Sequence, residues 1–167
     1  GIDGISPTLT TSQGGNQQPK ILVNGDESMQ QVTVNDFFCG GGGMGIGFKN
    51  AGFRLGGAWD FDKYAVESYG HNVSPKVKQA DITQMTAEDV PNSDVWTFGF
   101  PCQDLSIAGK QAGLFEGKRS GLFFEVMRLL KEITEKDNTR LPSIIMAENV
   151  KGLKPYLEVL KEEYLKV

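Results

Sequence analysis

The chain has 167 residues, of which 39% are hydrophobic and 23% charged, enough for one domain with its own core and too apolar for a disordered protein. Seventeen Lys and Arg residues against 21 Asp and Glu residues give a net charge of −4. This balance disfavours a free-standing, non-specific nucleic-acid binder, because such proteins are normally basic. No apolar run reaches the roughly 18 residues that span a bilayer, so no membrane partner is predicted.

The first residues of the chain and its two cysteines indicate the cellular compartment. Residues 1–11 have neither the basic nor the apolar region of a signal peptide. Two cysteines make no disulfide framework, which is typical of a reducing cytoplasm. We therefore expect a cytoplasmic protein, and the absence of an initiating Met indicates a processed or trimmed chain.

The chain divides into a polar, Gly-rich arm over residues 1–30 and an alternating pattern from residue 31 onward. Short apolar runs predict strands at 32–38, 53–59, 76–80, 95–100 and 143–147. Amphipathic stretches predict helices at 44–50, 63–69 and 121–134. Strands that alternate with helices favour an α/β fold with a doubly wound, mostly parallel, Rossmann-like sheet.

A glycine run follows the first predicted strand, in the segment Asp36–Gly43. A strand, a glycine turn and a helix together present backbone N–H groups to a nucleotide-like ligand, which glycines allow to approach closely. Asp60 ends the next strand, where a carboxylate can hold two ribose hydroxyls. This pattern supports NAD, FAD and S-adenosylmethionine about equally.

A thiol and a carboxyl group follow two later strands. Phe100-Pro101-Cys102-Gln103 places Cys102 at the carboxyl edge of the sheet, before a polar loop over 104–119 that could close over a substrate. Glu148 follows the fifth strand, where partial desolvation is expected to raise its pKa. Cys39, inside the first strand–turn, is interpreted as packing only.

With these blocks in place, the chain from Val34 to about Leu153 resembles the DNA (cytosine-5)-methyltransferases. The matching blocks occur in the family's order: Asp36–Gly43, Trp59–Tyr64, Asp81–Gln84, Gly99–Gly113, Arg119–Glu125 and Met146–Gly152. The Phe-Pro-Cys-Gln block followed by Glu-Asn-Val at this spacing is highly specific. The resemblance implies a fold of the S-adenosylmethionine-dependent methyltransferase type, incomplete at its C-terminal side.

The resemblance also implies an activity and a set of site residues. S-adenosylmethionine is the expected cofactor, double-stranded DNA the expected partner, and a restriction–modification system the expected setting. The catalytic residues would be Cys102, which adds to C6 of a flipped-out cytosine, and Glu148, which stabilises the protonated ring. No metal site is predicted. The cofactor residues would be Phe38, Gly40, Gly42, Gly43, Asp60, Phe61, Asp81, Ile82, Pro101 and Leu122, and the substrate residues Gln103, Ser106, Lys110, Arg119 and Asn149, the last of which also fixes the turn that aims Glu148.

The chain departs from the family pattern at both ends. Residues 31–167 would form only part of the catalytic domain, without a target-recognition domain, and residues 1–30 resemble a block that usually follows that domain. The order is then permuted, or the chain is one piece of a split or engineered enzyme that needs a complementary polypeptide. Two alternatives stay open at this point: a fragment that binds cofactor or a partner but methylates nothing, and a dinucleotide-dependent oxidoreductase.

Overall fold

The computed structural model describes residues 31–100, 121–149 and 157–165. Within them a five-stranded sheet has the order β3-β2-β1-β4-β5, with every neighbouring pair parallel. The strands are β1 Thr33–Phe37, β2 Arg54–Asp60, β3 Val77–Gln79, β4 Val95–Phe98 and β5 Ile144–Ala147, and the helices are α1 Gly43–Asn50, α2 Lys63–Asn72, α3 Leu122–Asp137 and α4 Leu157–Tyr164. The predicted parallel α/β fold is confirmed.

Most predicted bounds differ from the observed ones by a few residues. Helix α2 continues past Gly70 to Asn72, because the N–H of Val73 still bonds the carbonyl of Tyr69 at 2.8 Å. Strand β4 ends at Phe98, two residues earlier than predicted. Helix α4 was not predicted.

Strand β1 is the centre of the sheet, and all five of its residues are buried. Its alternate side chains serve the two faces of the sheet, as the two-residue period of a strand requires. Phe37 packs among the aromatic rings of Trp59 and Trp96 on the face covered by α3. Asp36 lies on the opposite face and accepts a hydrogen bond from the hydroxyl of Tyr69 in α2.

Each face of the sheet has its own core, which makes the sheet doubly wound. The larger core joins α3 to the sheet and to the connection between β3 and β4 through Phe98, Phe123 and their neighbours. On the opposite face, smaller clusters pack α2 and α1 against β1 and β2. The sheet is therefore supported from both sides.

The two edge strands of this sheet differ in character. Strand β3 has three residues and exposes Lys78 and Gln79. Strand β5 exposes Ile144 at 58% and Met146 at 39%. Polar or charged side chains on a short strand protect an edge from pairing, whereas exposed apolar side chains do not.

None of the helices α1 to α4 has both the length and the apolar character of a membrane-spanning segment.

The predicted arm over residues 1–30 lies outside the described residues, so the proposed division into an arm and a domain stays a prediction.

Candidate functional site

Strand register brings four chain segments to one edge of the sheet. Phe37 of β1 pairs with Trp59 of β2 and with Phe98 of β4, which in turn pairs with Ala147 of β5. The strands are parallel, so the residues that follow this row emerge together at the carboxyl edge, where open α/β sheets bind ligands. The residues that follow the row are Phe38, Asp60, Gly99 and Glu148.

The glycine turn after β1 has the tight backbone that its sequence predicts. Phe38 and Gly40 both have φ of 52°, and Gly42 has φ of 95°. A Cβ at Gly42 would lie 2.3 Å from Cγ2 of Val73, so this position requires glycine for space as well as for conformation. A Cβ at Gly40 would meet nothing within 4 Å, which leaves the outer side of the turn open to a ligand.

Asp60 holds the glycine turn against the end of β2. Its Oδ2 accepts a hydrogen bond from the N–H of Gly40 and its Oδ1 one from the N–H of Asp62, both at 2.8 Å. Asp62 then caps α2, because its Oδ1 accepts from the N–H groups of Tyr64 and Ala65. Each oxygen of Asp60 has a second lone pair, so the carboxylate can accept further hydrogen bonds from a ligand.

A cavity of about 330 Å³ opens beside this turn. Its walls combine aromatic and aliphatic side chains with two carboxylates, a composition that suits a nucleoside with an apolar base and polar ribose hydroxyls. The ring of Phe61 at the cavity is 73% exposed, which leaves its face available for stacking. The cavity is lined by Phe37, Phe38, Trp59, Asp60, Phe61, Ala80, Asp81, Ile82, Gly99 and Leu122.

Many of the residues that the sequence predicted for the cofactor line this cavity, namely Phe38, Asp60, Phe61, Asp81, Ile82 and Leu122. Sequence reasoning missed the lining residues Phe37, Trp59, Ala80 and Gly99. Three of the missed residues are immediate neighbours of predicted ones, and Gly99 lies two residues before Pro101, so the strand ends themselves were the available signal. The residues present fit an adenosyl group.

Glu148 is brought to the same edge, next to the cavity. Its N–H bonds the carbonyl of Phe98 at 3.0 Å, which continues the β4–β5 ladder. A Cβ at Gly99 would lie 3.2 Å from Oε2 of Glu148, so the carboxylate lies against this cavity-lining glycine. The side chain of Asn149 donates to the carbonyl of Phe100 at 2.9 Å and ties the end of β5 to the chain that follows β4.

The expectation that Glu148 would be partly desolvated is wrong for this chain, because its side chain is exposed. The physical reason is topological. Strand β5 is an edge strand with no partner on its outer side among the described residues, so the residue after it has a neighbouring strand on one side only.

Three titratable groups lie buried beneath the glycine turn. Burial raises the pKa of Asp36 to about 7, the hydroxyl of Tyr69 lowers it in part, and Oδ1 of Asp36 has no hydrogen-bond partner. Burial likewise raises the pKa of the Cys39 thiol and of the Tyr69 hydroxyl. Cys39 packs with Ala58 and Val73, in agreement with its interpretation as a packing residue.

The remaining predicted site residues lie outside the described residues. They are Pro101, Cys102, Gln103, Ser106, Lys110 and Arg119. Among the residues that the structure describes, no group of three or more His, Cys, Asp or Glu side chains could hold a metal ion.

Comparison with known proteins gives a consistent result. The sequence model of a family described as "C-5 cytosine-specific DNA methylase" matches residues 32–162. The type II methyltransferase M.NgoFVII of Neisseria gonorrhoeae is 36% identical over 136 residues, which are 80% of this chain and 34% of that protein. The type II methyltransferase M.HhaI of Haemophilus parahaemolyticus is 35% identical over 141 residues, 81% of this chain and 40% of that protein.

Solved structures agree with these sequence relatives. The S. pombe Dnmt2 methyltransferase superposes with a TM-score of 0.60 at 27% identity, over 81% of this chain and 41% of that chain. The present chain thus spans about two fifths or less of the length of the relatives described here.

Proposed function

Because the chain belongs to the C-5 cytosine-specific DNA methylase family, we propose that it supplies the cofactor-binding and base-activating part of an enzyme that methylates C5 of cytosine in DNA. The observation that carries this proposal is the position of Gly99. Gly99 lines the nucleoside-sized cavity, and a Cβ on it would lie 3.2 Å from the carboxylate of Glu148. One residue therefore separates the cofactor site from the proposed base-binding carboxylate.

The family implies S-adenosylmethionine as the cofactor. Different cavity residues are proposed to bind different parts of it. Asp60 accepts hydrogen bonds from the ribose hydroxyls, Phe61 packs on the adenine, and Asp81 with Ile82 contacts the adenine edge. When bound, the cofactor supplies an electrophilic methyl group. The remaining proposed contacts come from Phe38, Gly40, Gly42, Gly43, Pro101 and Leu122.

Cys102 is the proposed nucleophile. The sequence places it two residues after Phe100, the last described residue beyond β4. Its thiolate adds to C6 of a cytosine that has left the helix, since neither C5 nor C6 can be attacked face-on within the base stack. The addition makes C5 nucleophilic enough to take the methyl group, which would leave S-adenosylhomocysteine. A water then accepts the C5 proton, and loss of the thiolate restores the aromatic ring.

Glu148 is proposed to hydrogen-bond N3 and the exocyclic amine of that cytosine, which stabilises the ring as it gains a proton. The bond from Asn149 to the carbonyl of Phe100 supports this role, because it fixes the turn that carries Glu148. Gln103, Ser106, Lys110, Arg119 and Asn149 are proposed to contact the base or the phosphates of double-stranded DNA.

A complementary polypeptide is proposed to supply target recognition and to dock on β5. One observation supports it: β5, which has no strand on its outer side among the described residues, exposes Ile144 and Met146. Type II relatives from bacteria support a cytoplasmic, bacterial or phage-encoded restriction–modification protein. The arm over residues 1–30 is proposed to correspond to a block that usually follows target recognition.

A second candidate function is a fragment that binds cofactor or assembles with a partner but methylates nothing. The exposure of Glu148 favours it, because a solvent-exposed carboxylate stabilises a charged base less than a desolvated one does. The third alternative, a dinucleotide-dependent oxidoreductase, has no support in the comparisons.

The proposal is tested first on the isolated chain and then on the reconstituted pair. Titration calorimetry with S-adenosylmethionine should show binding that is lost in Asp60→Ala. The chain is then mixed with a polypeptide that carries the remaining family blocks, DNA of random sequence and cofactor with a tritiated methyl group. Label should enter the DNA with the unmodified chain and not with Cys102→Ser.

The two cysteines provide a matched control. Cys39→Ala should retain methyl transfer, because the Cys39 side chain is buried against α2 rather than facing the cavity. DNA made with 5-fluorocytosine should stay covalently attached to the unmodified chain, since C5 then has no proton to lose. Cofactor binding without transfer under any complementation would support the second candidate instead. Absence of cofactor binding would overturn the proposed function and would leave only the assembly role of the second candidate.

A further inference from the structure

The wall of the cavity that carries Asp81 and Ile82 belongs to the connection between β3 and β4. This connection contains only two three-residue 3-10 turns, Ile82–Gln84 and Ala87–Asp89. Such short turns fix few of their own backbone groups, so their position depends on contacts from elsewhere in the chain. The main contacts come from α3.

Arg128 in the middle of α3 holds the first of these turns. Its Nη2 donates to the carbonyl oxygens of Ile82 and Met85, both at 3.0 Å. Its Nε donates to Glu125 at 2.8 Å and its Nη1 donates to Glu132. The guanidinium plane is therefore oriented by two carboxylates on its own helix while it reaches two carbonyls of the connection.

Glu132, which is bonded to Arg128, holds the second turn, Ala87–Asp89. Its Oε2 accepts a hydrogen bond from the N–H of Ala87 at 3.0 Å. That N–H and the neighbouring Arg128 both lower the pKa of the Glu132 carboxyl, so the group stays charged at neutral pH. A lysine could not reproduce this arrangement, because a single ammonium lacks the planar fork that reaches several acceptors in fixed directions.

We propose that Arg128 is a positioning residue for recognition of the adenine ring. It does not line the cavity, but it fixes the carbonyl of Ile82, a residue that does. By holding that backbone, Arg128 keeps Asp81 and Ile82 at the distance where they distinguish adenine from other bases. This inference deepens the proposed function and rests on it, because it assumes an adenosyl ligand in the cavity.

Arg140 provides the matched control. It also bonds two carbonyls of the same connection, those of Ala87 at 3.0 Å and Val90 at 2.8 Å, and it bonds Asn92 at 2.7 Å. None of these three partners lines the cavity. Loss of Arg140 therefore weakens the connection without releasing the residues that face the ligand.

The experiment compares Arg128→Lys and Arg140→Lys in the 167-residue chain. Calorimetry measures the affinity for S-adenosylhomocysteine and for S-inosylhomocysteine, in which an oxygen replaces the adenine amino group. We expect Arg128→Lys to lower the affinity for S-adenosylhomocysteine about tenfold, a loss typical of hydrogen bonds from a charged group. The preference for adenine over hypoxanthine should fall together with this affinity. Arg140→Lys should leave the affinity and the base preference within about twofold of the unmodified chain.

A structural role alone would lower melting temperature in both variants but would leave the base preference unchanged. Glu132→Gln is the second variant, for use where Arg128→Lys does not fold, and it should shift the base preference in the same direction by less. Equal base preference in all folded variants would overturn the inference alone. Absence of S-adenosylhomocysteine binding by the unmodified chain would overturn the proposed function and the inference together.

Discussion

The two sides of the proposed site are built in opposite ways. On the β1–β2 side, the glycine turn is tied by Asp60, packed on Tyr69 and supported by a buried carboxyl group. On the β4–β5 side, Glu148 is exposed and the strand before it has no outer neighbour within the described part of the chain. The cofactor half is thus preorganised within this chain, whereas the base-activating half lacks the desolvation that its chemistry needs. Substitutions of the buried residues on the first side should change stability, and those of the exposed residues on the second side should change activity.

The largest expected effect lies on the buried side, in the pH dependence of folding. Asp36 has a pKa of about 7 instead of 3.8, so it stays protonated in the folded chain while the unfolded chain ionises. The protonated carboxyl contributes fully to stability below about pH 4, and this contribution is lost as the pH rises toward 7. The free energy of unfolding should therefore fall by about 1.4 kcal/mol per pH unit, or about 4 kcal/mol in all. Asp36→Asn should remove this decline in urea unfolding measured from pH 4 to 8.

Tyr69→Phe sharpens that test. The Tyr69 hydroxyl lowers the pKa of Asp36, so its removal should extend the decline in stability above pH 7. The groups that face Asp36, namely Tyr69, Cys39 and Asp60, are unchanged in Asp36→Asn. An identical pH profile for the unmodified chain and Asp36→Asn would contradict the buried-carboxyl interpretation.

The next effect is that of a methyl group in the glycine turn. Gly42→Ala should lower the free energy of unfolding by about 3 kcal/mol, because a Cβ there would overlap Val73 and the backbone has positive φ. Gly43→Ala should leave stability within about 0.5 kcal/mol, since a Cβ at Gly43 meets nothing within 4 Å. Comparable losses in both variants would mean that the turn is not packed as described.

On the exposed side, Glu148→Gln should lower activity and leave stability unchanged. Methyl transfer by the reconstituted enzyme should fall about 100-fold, the loss typical for a group that stabilises developing charge. The melting temperature should not change, because the side chain is exposed. Transfer at the unmodified rate would remove Glu148 from the proposed mechanism.

The smallest effect on folding should come from the outer face of β5. Ile144→Lys should change the free energy of unfolding by less than about 0.5 kcal/mol, because the side chain is already 58% exposed. It should nevertheless weaken binding to the complementary polypeptide, as measured by the concentration of that polypeptide needed for half-maximal transfer. Unchanged complementation would show that the partner does not dock on β5.

Sequence alone predicted the features that depend on local pattern. Alternating apolar runs located all five strands of the described sheet, and Asp60, Phe61 and Asp81 pointed to the cavity because strand ends share one edge. The predicted glycines Gly40, Gly42 and Gly43 are not among the residues that line it. The environment of Glu148 could not be predicted, since the exposure of a strand end depends on which strand lies beside it. Order within the sheet is a property of the whole fold.

Arg128 escaped sequence reasoning for a related reason. Its partners in the β3–β4 connection are the backbone carbonyls of Ile82 and Met85, more than 40 positions away, and a carbonyl has no residue-specific signature. In the sequence Arg128 is one more cation on the polar side of an amphipathic helix. Only the packing of α3 on that connection distinguishes it from Lys131.

Because β5 has no outer neighbour among the residues that the structure describes, the chain can also compete for its own proposed binding surface. Two copies can pair edge to edge through the same backbone groups and the same Ile144 and Met146 side chains that a complement would cover. Such homodimers increase with the square of the free chain concentration, whereas pairing with a fixed amount of complement increases only in proportion to it. Reconstitution is therefore expected to be most efficient when the chain is dilute and the complement is in excess.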